Sequence, residues 1–160
     1  MNRGEEILKE FLDNIERYTS SIYLAEVDKE KLENISNILN FKFSDFERMT
    51  SLECSSAAFQ LYAYAEYTES EKAKQKNILD WADSSIWYII SGTLDQYGDK
   101  YTKWQAKFYP AVKENPLASQ ILKVKNYAEA KFKILDGKHE RIIKMADILN
   151  NLSRTKSYEH

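Results

Sequence analysis

The sequence predicts an all-α protein, and three observations carry that prediction. Apolar residues recur every three or four positions over long stretches, no sustained alternation of period two occurs, and 160 residues hold only four glycines and two prolines. With few turns available, the helices must be long. The expected architecture is a long antiparallel helical hairpin, about 52–90 and 116–152, with shorter N-terminal helices packed against one end of it. The chain is read as a single domain 1–160, divided into acidic N-terminal helices (1–43) and a hairpin core (44–156).

Each element has its own justification. In residues 5–24, Ile7, Leu8, Phe11, Leu12, Ile15, Tyr18 and Ile22 form one apolar stripe. Asp28 suits the N-cap of a second helix, whose stripe is Leu32, Ile35, Ile38 and Leu39. Ser44 with Glu47, and Thr50 with Glu53, each fit a reciprocal capping box and mark two further helix starts. From Leu52 to Ile90 the positions Cys54, Ala58, Leu61, Ala65, Thr68, Leu79, Ala82, Ile86 and Ile89 keep helical spacing without proline or glycine. Lys72 and Gln75 fall on that stripe, so either the core is polar there or the helix breaks at Thr68; continuity is the expectation.

"SGTLDQYGD" (91–99) ends the helix in a loop. Pro110 removes a backbone donor and disfavours helical geometry at Tyr109, so "KYTKWQAKFY" (100–109) should be at most a helix of two to three turns, kinked or stopped before "PAVKENP". Asn115 followed by Pro116 matches an N-cap with proline at the first helical position. The last helix carries a seven-residue column, Ile121, Ala128, Leu135, Ile142 and Leu149, flanked by Val124, Met145 and Leu152 on one side and by Phe132, His139 and Ala146 on the other. Gly137 lies inside this helix, where a local bend is expected rather than a turn. So much apolar edge predicts a homo-oligomer, formed through the 121–149 column or its flanks.

Composition narrows the chemistry. Cys54 is the single cysteine, which excludes an internal disulfide and paired-cysteine zinc sites; its place on the apolar stripe marks a buried structural thiol. His139 and His160 are the two histidines, too few for a metal cluster or a catalytic triad, and no glycine-rich phosphate loop occurs. No enzyme activity, cofactor or metal is expected. The start of the chain lacks the apolar run of a secretory signal, and no stretch approaches the ~20 apolar residues of a membrane span, so a cytoplasmic protein with no membrane partner is expected.

Charge is uneven. Residues 1–53 hold seven Lys/Arg against twelve Asp/Glu, residues 54–98 three against six, and residues 99–160 thirteen against seven, giving balances of −5, −3 and +6 within a net −2. The basic part opens on lysines interleaved with Tyr101, Trp104, Phe108 and Tyr109. Two readings stay open. Cations along phosphates with rings for bases to stack on would hold single-stranded nucleic acid. Alternatively, Trp104 and Phe108 form the buried face of a short helix while Lys100, Lys103 and Lys107 face water. Core packing is the default for Trp81 and Trp87; Trp87, off the stripe beside Ile86, is either exposed or packed on the first two helices.

The "LEC" helix start at 52–54, the alanine- and tyrosine-rich long helix with Glu71 and Trp81, the "YTKW" linker at 101–104 and the terminal "ERIIKMADILNNL" (140–152) resemble the UvsY-type recombination mediators of bacteriophages, over residues 44–156. The resemblance implies a non-catalytic accessory protein of homologous recombination that binds single-stranded DNA, self-assembles, and loads a recombinase onto DNA coated by single-strand-binding protein, in the bacterial cytoplasm if phage-encoded. The nucleic-acid candidates are Lys100, Lys103, Trp104, Lys107, Lys123, Lys133, Arg141 and Lys144. The alternative is a protein-interaction module, such as an inhibitor of a host defence complex, whose acidic N-terminal half engages a basic protein surface.

Overall fold

A computed structural model describes residues 3–21 and 29–158. Its elements are α1 (Arg3–Ser21), α2 (Lys29–Leu39), α3 (Phe43–Arg48), α4 (Ser51–Ile90), a 3-10 segment (Ser91–Tyr97), α5 (Trp104–Glu114) and α6 (Pro116–Ser157), with no strand among the described residues. The fold is therefore all-α, and α4 and α6 are its two long helices. The expected N-cap Asp28 and the stripe residue Ile22 lie outside the described residues, as does the side-chain placement of Ile15 and Tyr18.

The chain divides into two compact units, one of residues 1–22 and 73–133, the other of residues 23–72 and 134–160. In the first unit the C-terminal half of α4 lies antiparallel to the N-terminal half of α6, around Ala82, Ile86, Ile90, Ala111, Val112, Ala118 and Ile121. A salt bridge from Lys125 to Asp83 (2.5 Å) ties the pair at its border. α1 joins this unit, its Phe11 ring stacking on Trp81 with centroids 4.0 Å apart, and Gln120 Nε2 donates to Glu5 (3.3 Å).

In the second unit the N-terminal half of α4 lies antiparallel to the C-terminal half of α6. Tyr62 donates to Asp147 (2.6 Å) and Lys72 to Asp136 (3.1 Å), so numbers rise along one helix as they fall along the other. Ile35, Ile38 and Phe46 bring α2 and α3 onto a core of Cys54, Ala58, Leu61, Ala65, Ile142, Ala146 and Leu149. The N-terminal helices thus do not gather at one end as expected: α1 belongs to one unit, α2 and α3 to the other.

Helix boundaries follow capping chemistry. The box at the start of α4 forms as read, with Thr50 N–H donating to Glu53 Oε2 (2.7 Å) and Glu53 N–H donating to Thr50 Oγ1 (3.2 Å). These bonds from Thr50, the backbone one first, hold the Glu53 carboxyl below its ordinary value. Ser44 and Glu47 do not form the second box. The N-cap of α3 is Lys42, two residues earlier than Ser44, and Lys42 N–H donates instead to Asp45 (2.8 Å). Asn115 caps α6 as expected, its Oδ1 accepting from Ala118 N–H (3.0 Å).

α4 does not break at Thr68. The Thr68 hydroxyl donates back to the Ala65 carbonyl (2.8 Å) rather than capping a new helix, and the polar-core alternative holds. Thr68 and Gln75 are buried, and Lys72 bridges Glu69 (2.6 Å) and Asp136. The bond to Glu69, with that to Asp136, holds the Lys72 pKa above the ordinary lysine value.

Pro110 does not stop α5, which runs through it to Glu114. An interior proline costs ~3 kcal/mol. The turn beyond it buries Ala111 and Val112 in the first unit's core, which offsets that cost. In α6 the column Ile121, Ala128, Ile142 and Leu149 is buried within the chain, with Leu135 half-buried, so this column is not open to a second copy.

Two outcomes are expected. Gly137 is an exposed interior position of α6 with nothing within 4 Å of an added Cβ, so Gly137→Ala should stabilise the protein by about 1 kcal/mol in denaturant unfolding. Cys54 is fully buried and burial pushes its thiol pKa up. Ellman's reagent should therefore leave it unmodified in the native protein and titrate one thiol in guanidinium; rapid native labelling would contradict its core position.

Candidate nucleic-acid interface

The stretch between α4 and α6 lies in the first unit, and its geometry starts from one backbone feature. Gly98 has φ of 149°, and a Cβ there would sit 2.5 Å from Thr102 Oγ1, so only glycine fits. The chain turns at once. Asp99 Oδ1 accepts from Tyr101 N–H (2.9 Å) and from the Thr102 hydroxyl (3.0 Å), a closed turn that delivers Lys103 as the residue preceding α5. These two bonds, the backbone one first, hold the Asp99 carboxyl below the ordinary aspartate value of 3.8.

Beyond this turn α5 presents a row of rings. Trp104 stacks on Phe108 (4.6 Å between centroids), approaches Trp87 of α4 at 5.7 Å, and Phe108 meets Tyr109 edge-on at 5.6 Å. The row is supported from below, because Ala111 and Val112 are buried and Tyr97 donates to Glu114 (2.7 Å). It is also open from above. Trp87 is 46% exposed, Trp104 47% and Tyr109 63%. Trp104 is therefore neither the buried anchor of the plainer reading nor an isolated ring: its neighbours hold it while about half its surface faces water.

The candidate residues do not form one set. Lys100, its ammonium 5.1 Å over the Tyr101 ring, and Lys103 are exposed beside the start of the ring row. Lys107 differs from the expectation that it faces water, since its side chain is 12% exposed and lies 3.8 Å from Asp95. On α6, Lys123 is exposed and Lys133 pairs with Glu129 (2.7 Å). Arg141 and Lys144 belong to the second unit, Lys144 lying 4.0 Å from Glu140. Such exposed pairs contribute little and give way readily to another anion. Trp87 is the member that sequence reading assigned to packing by default; its angular position off the α4 stripe was the signal for exposure.

No group of three His, Cys, Asp or Glu side chains able to hold a metal occurs among the described residues. None of the described helices is long and apolar enough to cross a membrane. In comparisons with known proteins, the chain matches no family model, no curated protein and no solved structure.

The Asp99 turn carries a pH dependence of definite sign. Its carboxyl pKa is depressed in the folded protein, so its contribution is present above the ordinary aspartate value and is lost as pH falls through the lower folded value. Tryptophan emission should report loosening of the α5 start on acidification below 3.8, and Asp99→Ala should show that altered emission already at neutral pH. An unchanged spectrum in Asp99→Ala would remove the turn's role in holding the ring row.

Proposed function

We propose that this protein is a non-catalytic single-stranded DNA-binding protein whose contact surface is the ring row of Trp87, Trp104 and Phe108 with Lys100 and Lys103 at its edge. The observation that carries the reading is the exposure of two tryptophans that are nonetheless held by ring contacts. A fixed, half-open indole offers a base a flat face without first having to be ordered, and base stacking on such a face is worth ~1–3 kcal/mol. The adjacent ammonium groups neutralise phosphates and release counterions. An accessory role in homologous recombination, loading a recombinase onto coated DNA, belongs to the same proposal and is supported by the resemblance of residues 44–156.

Anisotropy titration of a labelled oligothymidylate at several salt concentrations tests it. Affinity should fall steeply with salt, and Lys100→Glu with Lys103→Glu should flatten that slope by about two phosphate contacts. Trp104→Ala should weaken binding by about 1–3 kcal/mol while keeping the slope. Absence of binding even at ~50 mM salt, where non-specific electrostatics are strong, would sink the reading in favour of a protein-interaction module acting through the acidic N-terminal half.

A further inference from the structure

Trp87 and Trp104 approach to 5.7 Å between centroids, yet their planes stand 47° apart. The fold holds that angle. Trp87 lies on α4, and Trp104, the first residue of α5, is backed one turn on by Phe108, whose ring lies 28° from parallel to it at 4.6 Å. Turning Trp104 parallel to Trp87 would give up this stack. Both indoles nevertheless keep about half their surface open to solvent. Single strands differ in how far they stack upon themselves: oligoadenylate is a run of nearly parallel purine planes, whereas the bases of oligothymidylate turn almost independently. A continuous stack has one orientation. Laid flat on either indole it meets the other at 47°, so a strand engages both rings only where its own stack is interrupted.

We infer, resting on the DNA-binding reading above, that this tilted pair selects unstacked, pyrimidine-rich single strands, and that Trp87 is the residue that sets the preference. Adenine offers an indole a larger face than thymine does, so ring contact by itself would favour oligoadenylate. The tilt reverses that order. Oligoadenylate either breaks one of its own base stacks to reach the second ring or binds through one ring alone, while oligothymidylate has little stacking to lose and meets both. Lys100 and Lys103 take no part in the choice, because strands of equal length carry the same phosphates.

Anisotropy titration of the full chain with labelled oligothymidylate and oligoadenylate of equal length, at one low salt concentration, tests this. Oligothymidylate should bind several-fold more tightly. A propanediol spacer in place of one central nucleoside should tighten oligoadenylate binding, although it removes a base, because it breaks the stack; the same spacer should not tighten oligothymidylate. Trp87→Ala should weaken oligothymidylate binding without weakening oligoadenylate, so that the preference narrows. If circular dichroism shows that this variant has lost helicity, Trp87→Phe takes its place, and its smaller ring should narrow the preference in part. Equal or tighter binding of oligoadenylate, a spacer that leaves oligoadenylate affinity unchanged, or an unchanged preference in the Trp87 variant would overturn this inference while leaving DNA binding intact. Failure of both strands to bind would overturn the inference and the DNA-binding reading together.

Discussion

The close approach of α4 and α6 is the constraint from which the remaining arrangement follows. Small residues line the core of each unit: Ala57, Ala58 and Ala65 of α4 with Ala146 of α6 in the second, Ala82 of α4 with Ala118 of α6 in the first, all buried. Alanine costs no side-chain entropy on burial and lets two helix backbones come near, while Leu61, Ile86, Ile142 and Leu149 fill the space between. Polar contacts run along the border of this packing, Tyr62 to Asp147 and Lys72 to Asp136 in the second unit and Lys125 to Asp83 in the first. The outward sides of both helices stay uncovered in the second unit, where Leu52, Phe59, Ile134 and Ile148 face water.

Apolar contacts alone would tolerate a shift of α4 along α6 by one turn, since they are non-directional. The polar layer in the second unit does not. The Ala65 carbonyl accepts from the Thr68 hydroxyl and faces His139 Nδ1 at 3.1 Å, a distance that assigns the proton to that nitrogen. His139 in turn lies 3.7 Å from Glu69, which Lys72 joins to Asp136. Sliding either helix would strand these groups without partners, at ~1–3 kcal/mol for each one left buried. Among the described residues no buried side-chain polar atom lacks a partner, so the layer is complete in this one register.

Much of this was legible in the sequence, because long helices write their packing face into a repeat. The stripe Cys54, Ala58, Leu61, Ala65, Thr68 and the column through Ile142 and Leu149 are the buried residues found. Even the polar interruption at Lys72 and Gln75 was visible as a break in composition without a break in phase. Local capping was harder to read, since Ser44 with Glu47 and Lys42 with Asp45 fit the same spacing and only the backbone decides between them. Pro110 misled because its cost is local, whereas the burial of Ala111 and Val112 that offsets it depends on residues far along the chain. Of the site, the sequence showed the mixture of rings and lysines; it did not show that Lys107 turns toward Asp95 or that Trp87 joins Trp104, since both depend on where the 91–103 connection places α5.

The clamp at the far end of α6 has a kinetic meaning. Lys156 Nζ donates to the carbonyls of Phe46 (2.9 Å), Glu47 (2.9 Å) and Met49 (2.5 Å), the open end of α3, where a cation also complements the helix dipole. Measured along the chain, the partners are 42 residues apart at Lys125 and Asp83, 64 at Lys72 and Asp136, and 110 at Lys156 and Phe46. Each pairing shortens the loop that the next must close, and loop closure is the entropic barrier that slows distant contacts. The order of assembly expected from these separations is a zipper that starts near the 91–115 connection and travels outward along α4 and α6. Lys156 is then the latch that closes last, holding the second unit shut rather than helping it to form.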